Sequence, residues 1–564
     1  MRLRRSSRLP TRPAARLILL VVLATILSAV LTARLAWVQL ASHARLAEAA
    51  VSQRAQVIPL SPTRGAVLDR TGVSLTGSRL SYTVAVYANY FPAGSRQVSM
   101  LAAALGLSPS AVEARLDGRC GPVYVARGVP PGTARRLGEI GLEGLALIAD
   151  EVRYGADSVA RHVVGYAGQS GQAGLEEAWD SILAGRGPEF LALFVDGRGE
   201  AVESLGWRKL YSAAGGSPLV NLPCDIVTTL DVGVQRVVEE VMDRRVARGA
   251  IVVMDPWTGD VLAMGSRPDF DQARIDEELE RTDGCLLNRA LVAYPPGSAF
   301  KPVVMAAALE EGAVHRADRF ACGGTVAADG REIACPAHSG RSDTEITLAE
   351  GLTVSCNTVF VRLWERLGQD ALREWAARFG FGRGTFSGLP GEETGSLPPT
   401  QAEKLEPDAA FGQGTVEVTP LQMACFFSAV ANGGRSVFPR LVREVRSPAG
   451  TTASLAAAGP GRRERVMSEA TAAQVAGALV AAVRDGTGRA AAVAPDVAGK
   501  TGTAETGRRD HSGRALHDAW FAGFWPAVVP RYVIVVVVED TQAGGAHAAS
   551  IFGEVLGGLR SRGS

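Results

Sequence analysis

The chain opens on a sharp switch from charge to apolarity. Residues 1 to 16 carry six arginines (Arg2, Arg4, Arg5, Arg8, Arg12 and Arg16) and no acid, and an uncharged, mainly apolar run of 17 residues follows from Leu17 to Ala33. As a helix that run rises about 26 Å, and with Arg34 to Leu40 about 36 Å, against a hydrocarbon core of roughly 30 Å. Arg34 can snorkel and Trp37 suits an interface. A cleaved signal peptide would show a shorter apolar stretch and an A-x-A-like site soon after it, and none follows Ala33 closely. The expectation is a single-pass transmembrane anchor over 17–40 behind a basic cytoplasmic tail at 1–16. The positive-inside rule then places everything beyond about residue 40 on the extracytoplasmic side.

From 41 to 215 the apolar positions come in short β-like runs broken by Gly, Asp and Pro, such as Tyr82–Tyr87, with helical stretches such as Leu175–Leu183 between them. This predicts an α+β pedestal or interaction module. The pattern changes from about 216. Ile226–Thr229 leads into a helical run at Val232–Met242, and Gly249–Met254 and Val261–Met264 flank Asp255-Pro256-Trp257-Thr258-Gly259-Asp260 as a β-hairpin. Near the C-terminus, Trp520–Trp525 and Tyr532–Val538 read as two further strands, with Ser550–Leu559 as a helix packed on them. Strands at both ends of a long helical middle predict one antiparallel sheet assembled from distant pieces, in a domain spanning 216–564. Ala453–Arg463 is a low-complexity loop whose Gly461-Arg462-Arg463 reads as solvated.

Charge and composition narrow the classes. Lys and Arg number 59 against 58 Asp and Glu, a net charge of +1, which argues against a nucleic-acid-binding surface. Apolar content of 47% with 21% charged residues excludes disorder along the whole chain. Seven cysteines with no CxxC pair exclude a disulfide-dense scaffold and argue against a zinc module. The seven histidines form no HExxH, and Gly412–Gly414 lacks the GxxxxGK[ST] of a phosphate loop, so neither metal nor cofactor is expected.

Only four cations are lysine: Lys209, Lys301, Lys404 and Lys500. A chain that otherwise uses arginine keeps lysine where an amine must be able to lose its proton. Lys301 lies three residues after Ser298, so a helix opened by Pro295–Gly297 would stack hydroxyl and amine on one face. Ser355-Cys356-Asn357 follows 57 residues after Ser298, and Lys500-Thr501-Gly502-Thr503 begins 202 after it. A serine is a weak nucleophile until a base takes its proton. A lysine must fall roughly three pKa units, about 4 kcal/mol, to act near neutrality. Partial burial and a second cation, Lys500, both push that way. Ser355 is suited to pass a proton to a leaving amine and Asn357 to bond a substrate amide. Lys500 with the hydroxyls of Thr501 and Thr503 is suited to a terminal carboxylate, and the N–H groups of Ser298 and Thr503 to an oxyanion hole.

SxxK, SxN and KTG in this order form the signature of β-lactamases and penicillin-binding proteins, and the chain resembles a class B penicillin-binding protein, a monofunctional peptidoglycan DD-transpeptidase. Further matches are Arg64-Gly65, Asp69-Arg70-Thr71-Gly72 and Gly174-Leu175-Glu176 in the pedestal. In the catalytic part they are Phe411-Gly412-Gln413-Gly414, Thr419-Pro420-Leu421-Gln422, Asn432-Gly433-Gly434 and Ala504-Glu505. The resemblance implies an α+β, β-lactamase/DD-peptidase-like catalytic fold, an antiparallel sheet flanked by helices. It implies D-Ala-D-Ala stem peptides as acyl donors, an amine of a neighbouring stem peptide as acceptor, and covalent binding of β-lactams. Nothing resembles a glycosyltransferase domain before the apolar run, so the bifunctional class is not expected, and the family implies a SEDS-type membrane glycosyltransferase as partner. About 60 residues follow the KTG, too few for PASTA repeats. Tyr294-Pro295-Pro296-Gly297 leans toward elongation-type relatives. The rivals are a DD-carboxypeptidase, a β-lactamase, a β-lactam sensor and an inactive cell-wall scaffold.

Cys322 and Cys335 flank Gly323–Ala334, which reads as a hairpin turning over Ala327–Gly330 and setting the two thiols opposite each other. A disulfide and a reduced pair are both open there. Some sporulation relatives use such a pair as a redox switch.

Overall fold

The structure is a computed structural model that describes residues 12–42, 46, 55–59, 64–119, 121–168, 171–184, 189–196, 202, 207–211, 223–339, 344–397, 405–448, 450–454 and 464–562. Gly461–Arg463 and most of the low-complexity loop lie outside the described residues. The chain forms two compact units, one of residues 1–62, 81–150 and 187–214, the other of 63–80, 151–186 and 215–564. Contacts therefore do not divide at the linear boundary expected near 215, because two upstream segments belong with the second unit.

The first unit begins with helix α1 (Arg12–Ala36), whose apolar side chains are exposed all round, as Leu17, Leu23 and Leu31 illustrate. The span 15–41 is long and apolar enough to cross a membrane, and it fits a single-pass anchor. Beyond it, Arg79–Tyr87 is the middle strand of a three-stranded sheet between Pro122–Val129 and Leu145–Val152. Its alternate residues Val84 and Val86 bury against Leu101, Val112 and Leu137. Two helices of this core start where serine supplies the cap, Ser95 accepting from the N–H of Val98 and Ser108 from that of Ala111.

In the second unit five strands form one antiparallel sheet. They are β1 (Gly249–Met254), β2 (Val261–Arg267), β3 (Ala498–Arg509), β4 (Ala515–Trp525) and β5 (Tyr532–Thr541), in the spatial order β2-β1-β5-β4-β3. β1 and the Tyr532–Val538 part of β5 are apolar and buried throughout because both faces of the sheet are covered there. Val533, Val535 and Val537 point to one core, shared with α3 (Lys301–Glu310), α4 (Asn357–Leu367), α5 (Pro420–Ala431) and α6 (Glu469–Arg484). Ile534, Val536 and Val538 point to the other, built with α2 (Val232–Arg245) and α7 (Gly545–Arg562). The expected sheet from distant pieces, with helices on both faces, is the observed one.

The upstream segments enter this unit through specific bonds. Val67–Leu68 pairs parallel with Ile226–Val227. Arg64 bonds Glu176 at 2.7 Å and Asp180 at 2.6 Å, Arg153 reaches the other Glu176 oxygen, and Glu176 is fully buried. A Cβ on Gly65 would sit 1.9 Å from the Cys224 carbonyl oxygen. Asp69 accepts from the hydroxyl and the N–H of Thr71 and from the N–H of Val73 and Val232. Burial alone would raise its carboxyl, but those donors outweigh it and hold the pKa below the ordinary value. The motifs assigned from sequence to the pedestal, Arg64-Gly65, Asp69–Gly72 and Gly174–Glu176, thus pack into the second unit.

Candidate active site

Ser298 lies on a 3₁₀ turn, Gly297–Phe300, and Lys301 opens α3 directly after it with Pro302 in the first turn. Close packing around this turn fixes three glycines. Gly297 has φ +55°, and a Cβ there would lie 2.6 Å from the Thr503 carbonyl oxygen. A Cβ on Gly502 would meet the Pro296 oxygen at 2.4 Å, and one on Gly412 the Gly297 oxygen at 2.3 Å. Edge strand β3 and the 411–414 loop therefore press backbone to backbone on the serine turn. The N–H of Gly297 donates to the Gly412 carbonyl at 2.8 Å.

Lys301 is fully buried and gives hydrogen bonds to the Ser355 carbonyl (2.7 Å), Ser355 Oγ (3.1 Å) and Asn357 Oδ1 (2.8 Å). Ser355 holds the left-handed backbone, φ +61°, in the break before α4, a conformation that costs a non-glycine residue and aims its hydroxyl between two amines. The second amine is Lys500, on β3, also fully buried, with Nζ 3.0 Å from Ser355 Oγ and 3.1 Å from the Thr501 carbonyl. Burial pushes the Lys301 amine down to about 7, with Cys356 and Cys335 acting in the opposite direction. Lys500 falls well below the ordinary lysine value, by burial first and by the charge of Lys301 second. Sequence reasoning gave Lys500 a share in depressing Lys301, whereas burial is what lowers it.

The site residues expected from sequence converge, with three differences of detail. Among the hydrogen bonds of the described residues none joins Lys301 to Ser298, because the amine is committed to the SxN segment. Asn357, expected to face substrate, bridges within the protein, its Nδ2 donating to the Ala334 carbonyl at 3.0 Å. Thr501 Oγ1 pairs with Thr487 Oγ1 at 2.7 Å, and Thr503 Oγ1 accepts from the Gly545 N–H at 2.9 Å. Thr487, which also lies 3.5 Å from Lys500 Nζ, has no signal in the sequence beyond its place in the turn Asp485–Gly488. Ser298, Ser355, Asn357, Thr487 and Thr503 wall one cleft of about 1060 Å³, with the two lysines behind them. A hydroxyl at an open wall, backed by two buried amines whose pKa values are both depressed, suits acyl transfer through a serine ester.

The family model for the penicillin-binding protein transpeptidase domain matches residues 249–557, and that for the penicillin-binding protein dimerisation domain matches 59–212. The chain belongs to the class B penicillin-binding proteins. This penicillin-binding protein is 33% identical to stage V sporulation protein D of Bacillus subtilis, over 96% of its own length and 84% of the relative's. It is 29% identical to peptidoglycan D,D-transpeptidase FtsI of Escherichia coli, over 94% and 89% of the two chains. Among solved structures it is similar to the D,D-transpeptidase domain of a peptidoglycan glycosyltransferase from Eggerthella lenta, with a TM-score of 0.62, 26% identity and coverage of 89% and 100%.

The thiols near the cleft differ from expectation. The hairpin pairs Thr325–Ala328 with Arg331–Ala334, and its turn is Asp329-Gly330, both with positive φ, 49° and 72°. That two-residue turn is one residue out from the expected loop, so Cys335 pairs with Gly324 and not Cys322. Cys322 and Cys335 are both buried free thiols, and the sulfur 3.5 Å from Cys335 is that of Cys356, inside the SxN triple.

Proposed function

We propose that this serine-type peptidoglycan DD-transpeptidase, a target of β-lactams, works through Ser298 as nucleophile and Lys301 as its base. Neutral Lys301 accepts the Ser298 proton as Oγ attacks the carbonyl carbon of the penultimate D-Ala. The N–H groups of Ser298 and Thr503 receive the developing oxyanion, each worth about 2.7–4 kcal/mol by analogy with other acyl-transfer sites. Ser355 Oγ, held between both amines, passes the proton to the departing D-Ala amine. The acyl-enzyme then transfers its acyl group to an amine of a neighbouring stem peptide, which restores Ser298. Lys500, Thr501 and Thr503 hold the donor's terminal carboxylate, with Gly502 leaving room for the strand to approach. Asn357, on the cleft wall, positions Lys301 through its Oδ1.

The observation that carries this reading is the shared hydroxyl: Lys301 and Lys500, both fully buried, meet at Ser355 Oγ at 3.1 and 3.0 Å. The arginine-rich tail before α1 supports a cytoplasmic N-terminus and an extracytoplasmic catalytic unit. In that arrangement glycan polymerisation falls to a partner, for which a SEDS-type glycosyltransferase is the family's candidate. Labelling with penicillin followed by peptide mass spectrometry tests the central assignment. The adduct should sit on Ser298 and persist, and Ser298→Ala should abolish it. An adduct on another serine would refute the assignment, and rapid nitrocefin turnover would favour a β-lactamase.

A further inference from the structure

Beside the cleft, whose lining includes Ala334, Pro336 and Ala337, three thiols and an imidazole converge. They are Cys322 at the end of strand Arg319–Cys322, Cys335 after the rim hairpin, His338 on the turn Pro336–His338, and Cys356 between Ser355 and Asn357. All four are buried, and one ligand atom from each lies within 4.8 Å of every other. The Sγ atoms of Cys335 and Cys356 are 3.5 Å apart, and Cys335 Sγ is 3.8 Å from His338 Nδ1. Zinc held tetrahedrally at about 2.3 Å from sulfur and about 2.0–2.1 Å from nitrogen spaces its ligand atoms about 3.5–3.8 Å apart. Thr358 Oγ1 is 3.1 Å from Cys322 Sγ, and the backbone N–H groups of Thr358 and Val359, in the first turn of α4, face Cys335 and Cys356.

We propose that Cys322, Cys335, His338 and Cys356 form a Cys₃His zinc site that fastens the rim hairpin to the SxN segment. Soft sulfur donors with one imidazole in a closed tetrahedron select zinc over magnesium or calcium. On binding, the three thiols release three protons to solvent and neutral His338 donates through Nδ1. Because Cys356 lies between Ser355 and Asn357, and Asn357 also bonds Ala334 at the hairpin's end, the metal would act as a positioning element for both. The only local signal in the sequence is Cys335-Pro336-Ala337-His338, since the other two ligands arrive through the fold.

The test uses the full chain in detergent, purified without chelator and with its thiols alkylated at lysis in a parallel sample. Metal analysis should find one zinc per chain, independently of any transpeptidase assay. Cobalt exchanged into the site should give the intense visible absorption of a tetrahedral thiolate centre, and acylation by penicillin should shift it. His338→Ala and Cys322→Ser should lower zinc content. Chelation of the wild-type protein should slow penicillin acylation, and zinc should restore it. Absence of stoichiometric zinc and of the cobalt spectrum, or a Cys335–Cys356 disulfide in the alkylated sample, would overturn the site. A cobalt spectrum indifferent to acylation, with acylation unaffected by chelation, would overturn its positioning role.

Discussion

At Lys301 the fold supplies what the side chain alone lacks. A free lysine is protonated at neutral pH, and complete burial brings this one down to about 7. Since only the neutral amine can accept the Ser298 proton, the second-order rate of penicillin acylation should rise with pH through about 7. On the acid side it should fall about tenfold per unit. A flat rate between about pH 6 and pH 8 would remove Lys301 as base. Replacement by arginine keeps the charge but not the proton-accepting capacity, and the bulkier guanidinium must enter a fully enclosed position. Lys301→Arg is expected to cost at least about 10²-fold in acylation, the lower end of general-base contributions, while Lys500→Arg should cost less. Equal mild losses in the two folded variants would contradict the division of roles. These residues were readable from the chain because four lysines among 59 cations single themselves out, and because SxxK, SxN and KTG are each short local motifs that recur in this order. The commitments of Asn357 to Lys301 and Ala334, and the meeting of both amines on Ser355, depend on strand and loop positions that no local spacing encodes.

At the scale of elements, the site exists because β3 comes unusually near the serine turn. Gly502 faces the Pro296 oxygen and Ala299 Cβ, so a methyl group there would sit 2.4 Å from one and 3.1 Å from the other. Backbone on the opposite side gives no room to yield, and overpacking of this kind costs about 1–3 kcal/mol. Gly502→Ala should therefore separate β3 from Gly297–Phe300, lowering the melting temperature and slowing penicillin acylation by more than the stability loss explains. Wild-type acylation kinetics in this variant would show that the approach is not needed. The strands themselves were plain in the sequence. Apolar runs such as Tyr532–Val538 announce a sheet, and the alternation of its two cores follows from the pleat. Exact registers were not plain: the rim hairpin turns on Asp329-Gly330, a two-residue loop centred one residue further along, which moves every cross-strand partner by two. The serine turn likewise forms as a 3₁₀ turn before the α-helix begins, a boundary set by packing against Thr503 and Gly412.

The catalytic unit as a whole is not a linear segment, and this sets what can be cut away. Residues 63–80 and 151–186 contribute the strand Val67–Leu68 and the Asp69 carboxylate that accepts the Val232 N–H. They also contribute the buried Glu176 held by Arg64 and Arg153. They further bury Val67, Leu75, Val159, Val163, Val164, Leu175 and Leu183 in the same core as α3 and α5. At about 1.5 kcal/mol or more for each buried aliphatic side chain, their removal withdraws on the order of 10 kcal/mol. Typical folding stabilities are about 5–15 kcal/mol. A chain beginning at residue 216, the boundary that composition suggests, retains every SxxK, SxN and KTG residue. It should nevertheless fail to fold into a penicillin-binding unit. A chain beginning at residue 55 keeps both upstream segments and discards the tail, the apolar helix and the stretch to residue 54, and it should label with fluorescent penicillin as the full protein does. Thermal melting and labelling of the two chains decide the matter: wild-type labelling by the shorter one would show that the upstream segments are ornaments on a self-sufficient domain, whereas its loss with retention in the longer chain would show that the catalytic core is completed from the N-terminal side.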